Sequence, residues 1–159
     1  MSHALHANPV GLHHISWRAT GSALSDVDVL VEAVAWLIGD KEAVETDKSS
    51  SYHGPELTLV SASTVNKRKA MRSFARLGED NLRTLIENID LQMDDQNVLH
   101  FRLVLDDLID QRVVLASDFG AATVKGQAKF EVYSGQPADE QRLATLNEAL
   151  ILAKESGDA

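Results

Sequence analysis

Residues 123–133, Thr-Val-Lys-Gly-Gln-Ala-Lys-Phe-Glu-Val-Tyr, show the cleanest alternation of apolar and polar side chains in this chain. Such a period of two predicts a strand with one face on a hydrophobic core and one face nearer water. The predicted inward face consists of Val124, Ala128, Phe130 and Val132, and the predicted outward face of Lys125, Gln127, Lys129 and Glu131. This pattern is typical of an antiparallel sheet that is covered on one side only.

Three other segments of the sequence also predict strands. The clearest is residues 12–20, with His13, Ile15, Trp17 and Ala19 on one face and His14, Ser16, Arg18 and Thr20 on the other. In residues 56–65 we expect Leu57 and Leu59 to point inward. In residues 98–105 the predicted inward set is Leu99, Phe101, Leu103 and Leu105, and His100 and Arg102 point outward. Weaker signals favour short strands within residues 41–48 and at 112–115.

Apolar residues at helical spacing predict the remaining elements. Ser25 is the expected N-cap of a helix that ends near Gly39. Asn66 caps a second helix, which continues beyond Gly78 to about Met93. The last helix covers residues 138–154, with an apolar stripe of Leu143, Leu146, Leu150 and Ala153.

The order of these elements determines the predicted fold class. The strands cluster along the chain instead of alternating strictly with helices, which favours an α+β two-layer sandwich: a largely antiparallel sheet with helices packed on one face. Residues 1–10 are predicted to form a flexible N-terminal tail. Residues 11–156 are predicted to form a single α+β domain.

Composition excludes several classes of function. The 159 residues include no cysteine, which excludes a disulfide framework, a thiolate metal site and a cysteine nucleophile. The sequence shows neither a signal peptide nor an apolar run long enough to cross a bilayer. We therefore expect a cytoplasmic protein with no membrane partner.

Positive charge is concentrated in part of an acidic chain. The net charge is −9, yet residues 66–83 hold six lysines and arginines against two acids, a local charge of 6 − 2 = +4. The predicted outward sheet face adds Arg18, Arg102, Lys125 and Lys129. Together the two regions could contact phosphates, although solvated charged faces are also common on proteins without a nucleic-acid partner. The phenylalanines and tryptophans mostly occupy core-type positions, which argues against base stacking, and Tyr52 and Tyr133 are the only candidates for it.

No catalytic or metal-binding pattern emerges from the sequence. Motifs for a serine nucleophile, a phosphate loop, a zinc protease or a dinucleotide site are all lacking. His13 and His14 are neighbours on a strand and should point to opposite faces, so they should not chelate one ion. We predict no catalytic residue, metal or cofactor. A small hydrolase built on His14, His53 and His100 would require these histidines to converge.

The loop Tyr52-His53-Gly54-Pro55 is the most distinctive local feature of the sequence. His53 stands beside a glycine that permits close backbone approach. Two interpretations stay open: a turn shaped by Gly-Pro, or a loop whose histidine contacts phosphate or ribose.

The ordered pieces together resemble a known archaeal family. They are the first strand Leu12–Thr20, the helix Ser25–Gly39, the histidine-glycine loop, the strand and basic helix Leu57–Arg76, and the segment Leu99-His100-Phe101-Arg102-Leu103. The family is one of RNA-binding or exosome-subunit-like proteins, and the resemblance covers residues 11 to about 154. The chain departs from it at Asp106-Asp107-Leu108, where the family has Asp-Lys-Gln, and at Tyr52, where a second histidine is common.

The resemblance implies a fold similar to that of the ribosomal protein that binds 5S RNA. It also implies a non-catalytic accessory role in RNA processing, associated with the exosome. The predicted RNA-binding residues are Arg18, His53, Lys67, Arg68, Lys69, Arg72, Arg76, Arg102, Lys125 and Lys129. Proteins of an RNA-processing complex are possible partners besides RNA. The alternative is a protein-interaction module whose acidic surface docks on a basic partner.

Overall fold

A computed structural model describes residues 11–22, 26–50, 56–116 and 122–157. The predicted tail at residues 1–10, and the predicted site residue His53, lie outside the described residues. Within them, no helix is long and apolar enough to cross a membrane.

In the described part of the chain, five strands form one sheet in the order β2-β3-β1-β5-β4, and every pairing between neighbours is antiparallel. The strands are β1 Leu12–Ser22, β2 Glu45–Ser50, β3 Glu56–Thr64, β4 Val98–Val104 and β5 Thr123–Phe130. The helices are α1 Val27–Ile38, α2 Lys67–Ala75, α3 Glu79–Glu87, α4 Ile89–Gln92, α5 Leu105–Ile109 and α6 Ala138–Gly157. A 3-10 turn, Lys41–Ala43, leads into β2.

The fold is the predicted α+β sandwich, with helices packed on an antiparallel sheet. Helices α1 and α2 contact β1 directly, and α6 packs on α2 and α3. Aromatic rings join the two layers: Phe74 of α2 lies 6.1 Å from Phe101 and 6.0 Å from Phe130, between ring centroids. Burial of these apolar side chains is the main favourable contribution to folding.

A buried hydrogen-bond chain also ties the layers together. The Trp17 indole N–H donates to Ser73 Oγ at 2.8 Å, and Ser73 Oγ donates to the Leu37 carbonyl at 2.6 Å. Both side chains are almost fully buried. The chain therefore connects β1, α2 and α1 while leaving none of its polar atoms unsatisfied.

The predicted orientation of β3 is wrong. Leu57 is 38% exposed and Leu59 points to the same outer face, whereas Thr58, Val60 and Ala62 are buried. The register explains the reversal, since Ala62 lies opposite Trp17 and Val60 opposite Ala19, and directly paired residues share a face. Trp17 and Ala19 face the core, so their β3 partners must do so as well.

A β-bulge at the start of β1 corrects a second prediction. Leu12 pairs with Phe130 and His14 with Lys129, so β1 has one extra residue at His13. Leu12 and Ile15 are both fully buried, and His13 is exposed instead of lying on the inward face with Ile15.

Smaller differences concern the ends and faces of elements. Asp26, rather than Ser25, caps α1 by accepting from the Asp28 N–H. Leu105 begins α5 and is half-buried, and Leu143 is 44% exposed because Gln141 and Thr145 occupy the inner face of α6. The predicted edge strand at 112–115 is reduced to a bridge between Leu115 and Leu103.

Candidate nucleic-acid interface

The sheet face opposite α1 and α2 carries a row of three cationic side chains. Arg18 of β1 pairs with Lys125 of β5, which pairs with Arg102 of β4, so all three point to the same face. Neighbouring strands lie about 4.8 Å apart, which places Arg18 and Arg102 roughly 10 Å apart along the row. We refer to Arg18, Lys125 and Arg102 as the cation row.

The cation row is available for binding. Arg18 and Arg102 are exposed and Lys125 is half-buried. Arg102 donates a long hydrogen bond of 3.4 Å to Thr123 Oγ1, and none of the three makes an ion pair with any described residue. By contrast, Lys41, Lys67, Arg83, Arg112 and Arg142 each lie within ion-pair distance of a carboxylate.

The basic residues of α2 lie on the other side of the sheet. Helix α2 buries Ala70, Met71 and Phe74 against the core, so its exposed face points away from the cation row. That exposed face carries Lys67, Arg68, Lys69, Arg72 and Arg76. The structure therefore does not unite the two predicted regions, because the sheet and the core separate them.

Two residues at the ends of α2 are already engaged. Lys67 Nζ lies 3.0 Å from Glu131 Oε1, and this hydrogen bond raises the pKa of the Lys67 ammonium. The Arg76 guanidinium lies over the Trp36 ring, 5.3 Å from its centroid, as in a cation–π contact. Arg68, Lys69 and Arg72 make no ion pair within the described residues.

Lys129 lies at the far end of the outer face. It lies four residues after Lys125 on the same face of β5, and its ammonium donates to the Gln96 carbonyl. This bond ties Lys129 to the turn before β4. Lys129 is therefore less free to contact phosphate than the residues of the cation row.

The two adjacent histidines approach each other because of the bulge. His13 Nδ1 and His14 Nδ1 lie 3.0 Å apart, contrary to the expectation that they point to opposite faces. Partial burial, followed by the charges of His13 and Lys129, lowers the pKa of His14. No group of three or more metal-ligating side chains is found among the described residues.

The described histidines do not converge as a hydrolase would require. His14 pairs with Lys129, which pairs with Val98, whereas His100 pairs with Gln127, which pairs with Ser16. His14 and His100 therefore lie in different cross-strand rows and on strands separated by β5, roughly 10 Å apart or more. His100 instead bonds Asp94, with 2.7 Å between Nε2 and Oδ2.

Asp94 fixes the turn that leads into β4. Its Oδ1 accepts from the Gln96 N–H at 2.8 Å and from the Val98 N–H at 3.0 Å. The hydrogen bond from His100 is the main reason why the pKa of Asp94 falls to about 2, and the two backbone bonds add to it. This carboxylate thus orients the strand that carries Arg102.

Replacing Asp94 with asparagine should lower the protein's stability at neutral pH. It should also make stability fall less steeply as the pH is lowered. The folded state depresses the pKa of Asp94 from 3.8 to about 2, so its stabilisation is present above pH 3.8 and is lost as the pH falls toward 2. Thermal unfolding of wild type and Asp94→Asn between pH 6 and pH 2 measures this difference. Asp95→Asn is the matched control, because the neighbouring Asp95 is exposed. If the thermal stability of wild type and of Asp94→Asn fell equally as the pH was lowered, the assignment would be contradicted.

A cavity adjoins the cation row toward β2. Its volume is about 430 Å³, and its lining includes Arg18 and Lys125, the neutral side chains Ser16, Ser61, Ser63 and Gln127, and the carboxylates of Glu42 and Glu45. The sequence did not reveal Glu42, Glu45, Ser61 or Ser63 as site residues. The predicted strand in 41–48 was too weak to give β2 a register, and Leu57 and Leu59 suggested the wrong face for β3.

Comparison with known proteins identifies the family. A family model described as RNA binding matches residues 14–127, which include the whole cation row and α2. The chain belongs to this RNA-binding family. The search of curated proteins returned no match.

Solved structures from archaea share the fold of this RNA-binding family member. A DUF54 protein of Methanothermobacter thermautotrophicus is 18% identical, with a TM-score of 0.63, over 90% of this chain and 98% of its own. A DUF54 protein of Archaeoglobus fulgidus is 17% identical, with a TM-score of 0.66, over 89% and 99%. A UPF0201 protein of Methanococcus jannaschii is 10% identical, with a TM-score of 0.55, over 86% and 98%. At these identities the likeness concerns the fold.

Proposed function

We propose that this chain is a non-catalytic accessory protein in RNA processing that binds the RNA phosphate backbone through the cation row on its open sheet face. Membership of the RNA-binding family supports RNA as the ligand. The observation that carries the choice of surface is the alignment of Arg18, Lys125 and Arg102 in one cross-strand row, with no ion pair to any described residue. We also propose that the protein acts in association with the exosome.

Contacts of this kind position a nucleic acid without reading its sequence. Lysine and arginine neutralise phosphates and release counterions, so affinity falls steeply as salt increases. No phenylalanine, tyrosine or tryptophan lies at the described outward positions of β1, β4 and β5, where the aromatic rings are the imidazoles of His14 and His100. The proposed mode of binding therefore uses phosphate contacts and does not depend on base stacking.

We propose further that residues 11–156 form one domain and residues 1–10 a tail. Leu12 near one end and Ala153 near the other belong to the same hydrophobic core. A core shared by both ends of the chain is typical of a single folding unit.

Neutralising the cation row should weaken RNA binding by at least about tenfold at low salt, since hydrogen bonds to charged groups each contribute on the order of 1.5–3 kcal/mol. The variant is Arg18→Gln, Lys125→Gln and Arg102→Gln combined. Its affinity for a structured RNA and for a single-stranded RNA is measured at several salt concentrations. We also expect the slope of log affinity against log salt to fall by roughly one per lost phosphate contact.

Two matched triple variants identify the surface, and each shifts the net charge from −9 to −12, as the cation-row variant does. In the first, Arg68, Lys69 and Arg72 of α2 become glutamine. In the second, the ion-paired Lys41, Arg83 and Arg112 become glutamine, and exposed ion pairs of this kind contribute little to stability. A larger loss in the α2 variant than in the cation-row variant would move the site to the helical layer. Equal losses of RNA affinity in all three variants would show that only the net charge matters. If wild type bound no RNA, the alternative of a protein that docks on a basic protein partner would be favoured.

A further inference from the structure

The cavity beside the cation row combines three kinds of polar group that the described part of the protein leaves unused. Arg18 and Lys125 line one part, and Glu42 and Glu45 line another. None of these four makes an ion pair with a described residue. The cavity is therefore lined by positively and negatively charged side chains that do not form ion pairs with each other.

The register explains why the charges stay apart. Glu45 of β2 pairs with Ser61 of β3, which pairs with Arg18 of β1. The carboxylate and the guanidinium thus stand in one row but two strands apart, roughly 10 Å between backbones. A ligand that spans this row meets a carboxylate at one end, a serine between, and cations at the other end.

Neutral hydrogen-bonding groups border this row. Ser63, Ser16 and Gln127 form the next row on the same face, again by direct pairing. Among the described residues, no hydrogen bond engages these side chains, and all three line the cavity. Their hydroxyl and amide groups are free to bond a ligand.

We propose that this cavity holds one ribonucleotide unit of the bound RNA, with its phosphate on Arg18 and Lys125 and its ribose 2′-hydroxyl donating to Glu45. A carboxylate is a good acceptor for a ribose hydroxyl and a poor neighbour for a phosphate. The separation of Glu45 from the cations suits a ligand that carries both groups on one sugar. The 2′-hydroxyl is the group by which a protein distinguishes RNA from DNA.

This inference rests on the proposed RNA-binding function and adds selectivity to it. The cation row alone would bind RNA and DNA of similar geometry comparably, because phosphates are common to both. Glu45 repels the phosphates of RNA and DNA alike, and in RNA the hydrogen bond from the 2′-hydroxyl offsets this repulsion. The carboxylate therefore lowers affinity for DNA more than for RNA.

The test compares three oligonucleotides of one sequence: RNA, DNA and 2′-O-methyl RNA. Wild type should bind RNA about tenfold more tightly than either of the others, since a hydrogen bond to a charged group is stronger than one between neutral groups. Methylation removes the hydroxyl donor while the strand remains ribose-based. Glu45→Ala should reduce this preference to about twofold or less.

Asp47→Ala is the matched control, because Asp47 is the next outward residue of β2, is exposed, and does not line the cavity. Both substitutions raise the net charge by one, so the contribution of charge to binding changes equally in both variants and for all three oligonucleotides. Only Glu45→Ala should change the ratio between them. Equal binding of RNA and DNA by wild type, or an unchanged ratio in Glu45→Ala, overturns the inference. The cation-row variant then decides separately whether the proposed function still holds.

Discussion

Replacing Gly126 with alanine should lower the free energy of unfolding by about 3 kcal/mol, the upper end of the usual cost of overpacking a core. A Cβ at this position would lie 2.7 Å from Trp17 Cζ3 and closer still to Phe101 Cε2. Both rings are buried and stack edge-to-face, with 5.5 Å between centroids, so neither can simply swing into solvent. Urea denaturation of wild type and Gly126→Ala measures the difference.

Gly126 also links the core to the proposed site. It lies between Lys125 and Gln127, whose side chains point to the outer face. A side chain at Gly126 would point to the inner face, toward the Phe101 and Trp17 rings. A shift of β5 away from Phe101 and Trp17 would disturb the pairing that aligns Lys125 with Arg18 and Arg102. We therefore expect Gly126→Ala to weaken RNA binding in addition to stability.

Phe101→Leu supplies the control for this prediction, because a smaller side chain makes room for the new methyl group. The double variant Gly126→Ala/Phe101→Leu should be more stable than the sum of the single effects by about 1 kcal/mol or more. It also gives a measurable protein if Gly126→Ala alone does not fold. Strict additivity of the two substitutions would show that the clash with Phe101 is not the cause.

Replacing Phe74 with alanine should destabilise the protein by about 3–5 kcal/mol, as expected for a large buried ring that leaves a cavity. Phe74 is fully buried and contacts both Phe101 of β4 and Phe130 of β5. It is the ring through which α2 is anchored on the sheet. The same urea measurement applies, and a loss below about 1 kcal/mol would contradict the assigned role.

Phe74→Leu is the graded control and should cost about 1.5 kcal/mol or less, because most of the volume is kept. This pair of variants also separates stability from function. Phe74 lies on the core side of the sheet and the cation row on the opposite side. The folded fraction of either variant should therefore bind RNA as wild type does, under conditions in which it remains folded.

Much of the fold could be predicted from local patterns. Alternation in residues 123–130 and 98–104 identified β5 and β4 with the correct inward faces, because neither strand carries a polar side chain on its inner face. In β3 the same approach failed. Leu57 and Leu59 alternate as inward residues should, yet Thr58, Val60 and Ala62 are buried, because they pair with the inward-facing Gly21, Ala19 and Trp17 of β1.

The sequence by itself determined which residues could contribute charge: it showed that the chain has unusual clusters of lysine and arginine, no cysteine, and no catalytic motif. The sequence contains this information because residue type does not depend on distant partners. Only the tertiary structure decided which of these charges act together. Strand pairing aligned Arg18, Lys125 and Arg102, placed Glu45 two strands away in the same row, and put the sheet between them and α2. Such neighbours are set by hydrogen-bond register between segments far apart in the chain, which no local pattern specifies.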